Sequence, residues 1–176
     1  GYAGGTQKWS GFVPNNIYSM FALKEQITSC KKLNVDRYLV TAWADGAADA
    51  SLFCTLPSIY YASLLAHNLE LNKVSKAYFK KIVGISFDKY LKIDNLNRLN
   101  ISENDKSAGN LSFNYLYNDL LQGLYDEAVL DNVGEIIKKI SKQMKKIALE
   151  SIEFGYIFES LYDLSKVLQF KSELSI

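Results

Sequence analysis

Apolar residues recur along residues 133–148 at the spacing of one helix face: Val133, Ile136, Ile137, Ile140, Met144, Ile147 and Ala148. That pattern predicts a long amphipathic helix. Lys138, Lys142, Lys145 and Lys146 fall opposite it. Such a face can meet a membrane or an acidic partner, or simply water, which is the commoner use of a charged helix side. Leu161, Leu164, Val167 and Leu168 predict a last helix entered near Gly155, and the two helices should lie antiparallel as the core of a small bundle. Upstream, Lys73 to Val83 reads as a helix stopped at Gly84, and Ser86 as the cap of a short helix through Leu91. Asp94 to Asn110, rich in asparagine, aspartate, serine and lysine, reads as a loop with little that could pack. Asn114 to Gln122 reads as a short helix or turn stopped near Gly123.

The first 70 residues follow a different rhythm. Tyr2 to Thr6 and Arg37 to Trp43 predict two strands, with a helix from about Tyr18 to Leu33 between them whose inner stripe is Met20, Leu23, Ile27 and Cys30. A further helix, about Pro57 to Asn68, starts with Pro57 in its first turn, where a missing amide costs nothing. Two parallel strands alone bury little and leave edges that are normally paired. The fold class expected is mainly α with a short parallel β part, with residues 1–70 forming one part and residues 71–176 a helical domain.

Composition narrows the function classes. Apolar residues make up 48% and charged residues 22% of the 176 positions, ordinary for a globular chain. A net charge of +1 gives no reason to expect nucleic acid or an anionic membrane as partner. No run of about 18 apolar residues occurs, and the start lacks the basic and apolar regions of a signal peptide. Aromatics reach 13%, with 12 tyrosines, which suits a carbohydrate surface or a protein interface. Cys30 and Cys54 sit in apolar surroundings and read as buried thiols rather than a disulfide or metal site. The single histidine, His67, has no second histidine or carboxylate at ligand spacing and reads as a helix-end residue. No cofactor or metal is expected.

The densest candidate chemistry lies in Arg37 to Ser51, where an apolar strand delivers Trp43, Asp45 and Asp49 into a glycine- and alanine-rich turn. The carboxyl end of a parallel strand is where (β/α) barrels place their active sites. Trp43 would offer a flat face to a sugar ring, with Asp45 and Asp49 accepting from its hydroxyls. The plainer reading is that Asp-Gly only makes a turn and the tryptophan is core.

Three ordered segments carry a resemblance. Residues 2–14 contain Gly4-Gly5 and then Trp9-Ser10-Gly11-Phe12-Val13-Pro14, similar to the segment near the seventh barrel strand of family 20 glycoside hydrolases, the β-N-acetylhexosaminidases. Thr41 to Ser51, followed by Leu56-Pro57, resembles their eighth strand, although Ala44, Ala47 and Asp49 stand where glycine, glycine and glutamate are typical. Asp49 is one methylene shorter than that glutamate and would reach a hydroxyl through water. Leu111 to Asp126 resembles the helical domain behind the barrel in the streptococcal-type branch.

The resemblance implies a retaining, exo-acting enzyme in which the substrate's own 2-acetamido oxygen attacks the anomeric carbon. It implies the closing βαβα segment of a (β/α)8 barrel, Trp43, Asp45, Asp49 and Trp9 as substrate contacts, and N-acetylhexosamine-terminated glycans as partners. A whole barrel takes about 250 residues, so the chain is expected to be a piece of a longer enzyme. The family's aspartate-glutamate pair belongs to the fourth strand; the one such dipeptide here, Asp126-Glu127, reads as a helix start, so no catalytic residue is assigned. From a different class, the chain is also readable as a non-catalytic helical module that forms a homodimer.

Overall fold

The computed structural model describes residues 1–9, 11–43, 50–99 and 109–176. Strands β1 (Tyr2–Thr6) and β2 (Tyr38–Ala42) pair in parallel, from Tyr2 opposite Tyr38 to Thr6 opposite Ala42. Helix α1 (Asn16–Lys32) connects them. It begins where the Asn15 side chain accepts from the amide of Tyr18, and ends with Lys31 and Lys32 in its last turn, a favourable place for positive charge, the Lys31 ammonium donating to the Leu65 carbonyl.

Because side chains alternate along a strand, the sheet has two unlike faces. One carries Gly4, Tyr38 and Val40 and lies under α1 and α2 (Leu56–Ala66); Leu23, Ile27 and Ala62 form a small core there against Tyr38, Val40 and Leu65. A Cβ at Gly4 would overlap the Tyr38 hydroxyl and the Gln26 side-chain oxygen, which are themselves hydrogen bonded at 2.8 Å. The other face carries Ala3, Gly5, Leu39 and Thr41 and is open, with Leu39 63% exposed.

After a 3₁₀ turn at Leu52–Thr55 and helix α2, the chain is helical. Helix α3 (Lys73–Val83) starts in a capping box between Asn72 and Ser75 and stops at Gly84, whose φ of +82° favours glycine. Helix α4 (Phe87–Tyr90) runs straight into a 3₁₀ turn, Leu91–Asn97. Here the expectation of a loop from Asp94 is corrected: Ile93, Asp94, Leu96 and Asn97 are fully buried and Arg98 nearly so. Asp94, Asn97 and Arg98 find their hydrogen bonds inside the protein, and residues 100–108 of the expected loop lie outside the described residues.

Helix α5 (Leu111–Tyr117) is followed by α6 (Val133–Ala148) and α7 (Gly155–Lys171). The last two are antiparallel: Gly134 at the start of α6 faces Gln169, and Gly155 at the start of α7 abuts Ala148. Ile137, Met144, Phe158 and Leu168 are buried between them, whereas Val167, expected on the inner face, is half-exposed. Edge-on aromatic contacts run from Tyr60 through Phe79 and Tyr90 to Phe158. The same core takes in Val13, Ala50 and Cys54 from the first part of the chain. Both cysteines are buried free thiols, and no described helix is long and apolar enough to cross a membrane.

Candidate functional site

The open sheet face ends at two indoles. Trp43 follows β2 directly and Trp9 lies three residues beyond β1; with Ala3, Gly5 and Thr41 they line a cavity of about 400 Å³. The alternation that points Thr41 into the cavity also points Trp43 there. Thr41 then fixes the ring, since the indole Nε1–H donates to Thr41 Oγ1 at 2.7 Å and that hydroxyl donates on to the Gly4 carbonyl at 3.3 Å. Thr6 Oγ1 donates to the Thr41 carbonyl at 3.2 Å, tying the two strands together at the same level. Opposite, a Cβ on Gly5 would sit 3.4 Å from the Trp9 ring and 3.3 Å from Thr41 Oγ1, so the cavity floor tolerates nothing larger without displacement.

Trp43 is 56% exposed and Trp9 half-buried, which leaves apolar ring surface facing open space. Two such faces suit the flat, C–H-rich side of a sugar ring or a methyl group. A larger cleft of about 630 Å³ lies between α1 and α2, lined by Ile17, Met20, Phe21, Leu65 and others. It has none of the strand-end groups, so size alone does not identify the site. Among the described residues no group of three or more histidine, cysteine, aspartate or glutamate side chains is placed to hold a metal.

Of the residues expected from sequence, the structure brings Trp9 and Trp43 to one cavity, while Asp45 and Asp49 lie outside the described residues. Thr41 and Gly5 were not singled out, although the signal was there: each lies on the strand side that leads to an indole.

A buried polar scaffold stands behind the cavity. The Gln7 amide donates to Ser19 Oγ at 2.7 Å and the Gln7 carbonyl accepts from the Asn15 amide at 3.1 Å, so the end of β1 is tied to the first turn of α1. That turn is held by Asp94, which accepts from Asn16 Nδ2 at 2.9 Å and from the Ile17 amide at 2.8 Å. Asn16 Nδ2 also donates to the Cys54 carbonyl at 3.0 Å, and Asn97 Nδ2 donates to the Val13 carbonyl at 2.6 Å. Burial pushes the Asp94 carboxyl up to about 6, against the opposing pull of the Ile17 and Asn16 hydrogen bonds and the Arg98 charge. Burial likewise pushes the Cys54 thiol up to about 12, which keeps it protonated and unreactive.

Residues 88–176 match the family model described as the Glycoside Hydrolase 20C C-terminal domain. The chain belongs to glycoside hydrolase family 20. The matched half runs from α4 through α7 and contains Asp94, Asn97 and Arg98; Trp9 and Trp43 lie upstream of it. No curated protein matches the chain.

Proposed function

We propose that this chain supplies part of the sugar-recognition surface of a retaining, exo-acting β-N-acetylhexosaminidase, an enzyme that releases terminal N-acetylglucosamine or N-acetylgalactosamine from glycans. The carrying observation is the cavity in which Trp9 and Trp43 meet over the uncovered face of a parallel sheet. On this reading β1 and β2 are the last two strands of a (β/α)8 barrel, α1 and α2 its outer helices, and the uncovered face part of its interior. The two indoles stack on the pyranose or its acetamido methyl, and Asp45 and Asp49 accept from its hydroxyls.

In this family's chemistry the 2-acetamido oxygen is the nucleophile, a glutamate protonates the leaving oxygen and a neighbouring aspartate orients the acetamido group. The described cavity is lined by no carboxylic acid. Its residues therefore bind and orient, and the proton comes from elsewhere in the barrel. Such contacts remote from the scissile bond raise the rate by holding the reacting atoms in register.

The reading is tested by titrating the chain with N-acetylglucosamine while following its two tryptophans by fluorescence, expecting saturable quenching that Trp43→Ala abolishes. In a protein that includes the remaining strands, Trp43→Ala and Asp45→Ala should each raise KM or lower kcat on a chromogenic N-acetylglucosaminide. Unchanged kinetics in both variants would sink the assignment.

A second reading concerns association. Val74, Tyr78 and Ile82 recur every fourth residue along α3 and are all largely exposed, an apolar line that a second copy of the chain would cover. Sedimentation should show a dimer that Tyr78→Glu dissociates; a monomer at all concentrations removes this reading.

A further inference from the structure

We infer that Asp94 and Asn97 are positioning residues for the Trp9–Trp43 cavity: reaching out of the helical half of the chain, they clamp the segment that follows β1 and, through Asn16, the 3₁₀ turn Leu52–Thr55, and so fix where the Trp9 indole stands against Trp43. The inference rests on reading that cavity as the sugar site.

The bonds run across the molecule rather than along it. Asp94 reaches Asn16 and Ile17, positions 78 and 77 residues earlier, and Asn97 reaches Val13, 84 residues earlier. Each clamp has a second arm. Through Asn16 Nδ2 the Asp94 cluster holds the Cys54 carbonyl, in the 3₁₀ turn that follows the segment after β2. Asn97 Oδ1 accepts from both the amide and the hydroxyl of Ser112, at 3.2 and 2.6 Å, so α5 sets its orientation. From Val13 to Asn16 the hold passes back through the Asn15–Gln7 and Ser19–Gln7 bonds to Gln7, just past the end of β1 and two residues before Trp9.

Asn15, Asn16, Asp94 and Asn97 are all fully buried, so no bulk water competes for the bonds they make, although Asn16 Oδ1 and Gln7 Oε1 find no partner among the described residues. An apolar plug of the same size would fill the space with less desolvation cost, but would not specify the direction in which the β1 segment leaves. Polar groups at this junction exchange stability for fixed geometry.

The test uses the 176-residue chain, whose only tryptophans are the two in the cavity. Asn97→Asp removes the donor to Val13 while keeping the acceptor that Ser112 uses. Asp94→Asn makes an amide face one of the two donors. Ser112→Ala is the mildest change and only loosens the Asn97 side chain. Met144→Ala, in the α6–α7 core, serves as a control that loses stability away from the cavity. Each is measured at low temperature with the far-UV circular dichroism of a folded chain, by the near-UV band of the indoles, by acrylamide quenching and by affinity for N-acetylglucosamine.

The expected result is a changed indole band and affinity weakened by about fivefold or more, equivalent to about 1 kcal/mol, in Asn97→Asp and Asp94→Asn, with both readouts unchanged in Met144→Ala. Folded variants with the wild-type band and quenching overturn the proposal, as does a Met144→Ala chain that shifts them equally. If the wild-type chain binds no N-acetylglucosamine, the sugar reading fails while the indole band still decides on positioning. If the two stronger variants do not fold, Ser112→Ala decides by the same band.

Discussion

At the scale of single residues, the cavity depends on small groups in tight places. Gly4 sits where any side chain would meet the Tyr38–Gln26 pair, on the face packed by α1. Gly4→Ala must push that pair aside and should cost about 1–3 kcal/mol, the usual penalty of overpacking, read as a lower urea midpoint with an unchanged slope. Thr41 works differently. Its hydroxyl orients Trp43, and its bond to the Gly4 carbonyl is long, so little folding energy depends on it. Thr41→Val keeps the shape but removes the acceptor for the indole N–H. Stability should change by less than about 1 kcal/mol, whereas affinity for N-acetylglucosamine should fall about fivefold, the worth of one hydrogen bond. Equal losses in both measurements would show that Thr41 is a packing residue. The resemblance names the two indoles; the hold of Thr41 on Trp43 is not legible in the sequence because a threonine in a strand has an ordinary β-forming role and its special one appears only once the register with Gly5 is known.

At the scale of elements, strong periodicity translated well into structure. Helix α6 occupies the stretch its apolar spacing predicts, and α3 has both ends where the sequence places them, because its Gly84 stop is local chemistry. Met144 is fully buried between α6 and α7, whereas Lys142, two residues earlier and on the opposite side of the helix, is exposed. Met144→Ala should therefore cost about 2–5 kcal/mol in chemical denaturation and Lys142→Ala within about 0.5 kcal/mol. A comparable cost at Lys142 would contradict the assignment of the lysine face to solvent. What composition hid was the turn at Leu91–Asn97. Asparagine and aspartate favour loops when their partners are local, but Asp94 and Asn97 also reach Asn16, Ile17 and Val13, nearly half the chain away. No window of neighbouring residues contains that information. Val167 shows the complementary limit: an apolar residue at helical spacing reads as inward, yet it is half-exposed.

At the scale of the whole molecule, one buried carboxylate joins the strand-bearing half to the helical half, and its ionisation ties folding to pH. Asp94 has an ordinary value of 3.8 and is raised to about 6 in the folded chain, chiefly by burial. Between those values the folded protein keeps a proton that the unfolded chain has released. The stabilising contribution is thus complete below about pH 4 and is lost as the pH rises through about 6. That rise from 3.8 to about 6 corresponds to about 3 kcal/mol, and Asp94 is fully buried, so solvent does not screen it. Exposed carboxylates act in the opposite sense. The Lys138 hydrogen bond holds Glu135 below its usual range, and the amides of Leu121 and Gln122 do the same for Asp119, so both contribute stability that fades on acidification. They lie in water, where such effects are weak, and they are common to the wild type and any Asp94 variant. Subtracting the urea-unfolding curves of Asp94→Asn from those of the wild type at each pH removes them. The wild-type advantage should be greatest near pH 4 and shrink by about 3 kcal/mol toward pH 7. Two curves that stay parallel across that window would mean that Asp94 titrates alike in the folded and unfolded chains, and that its hydrogen bonds from α1 offset the full cost of burying its charge.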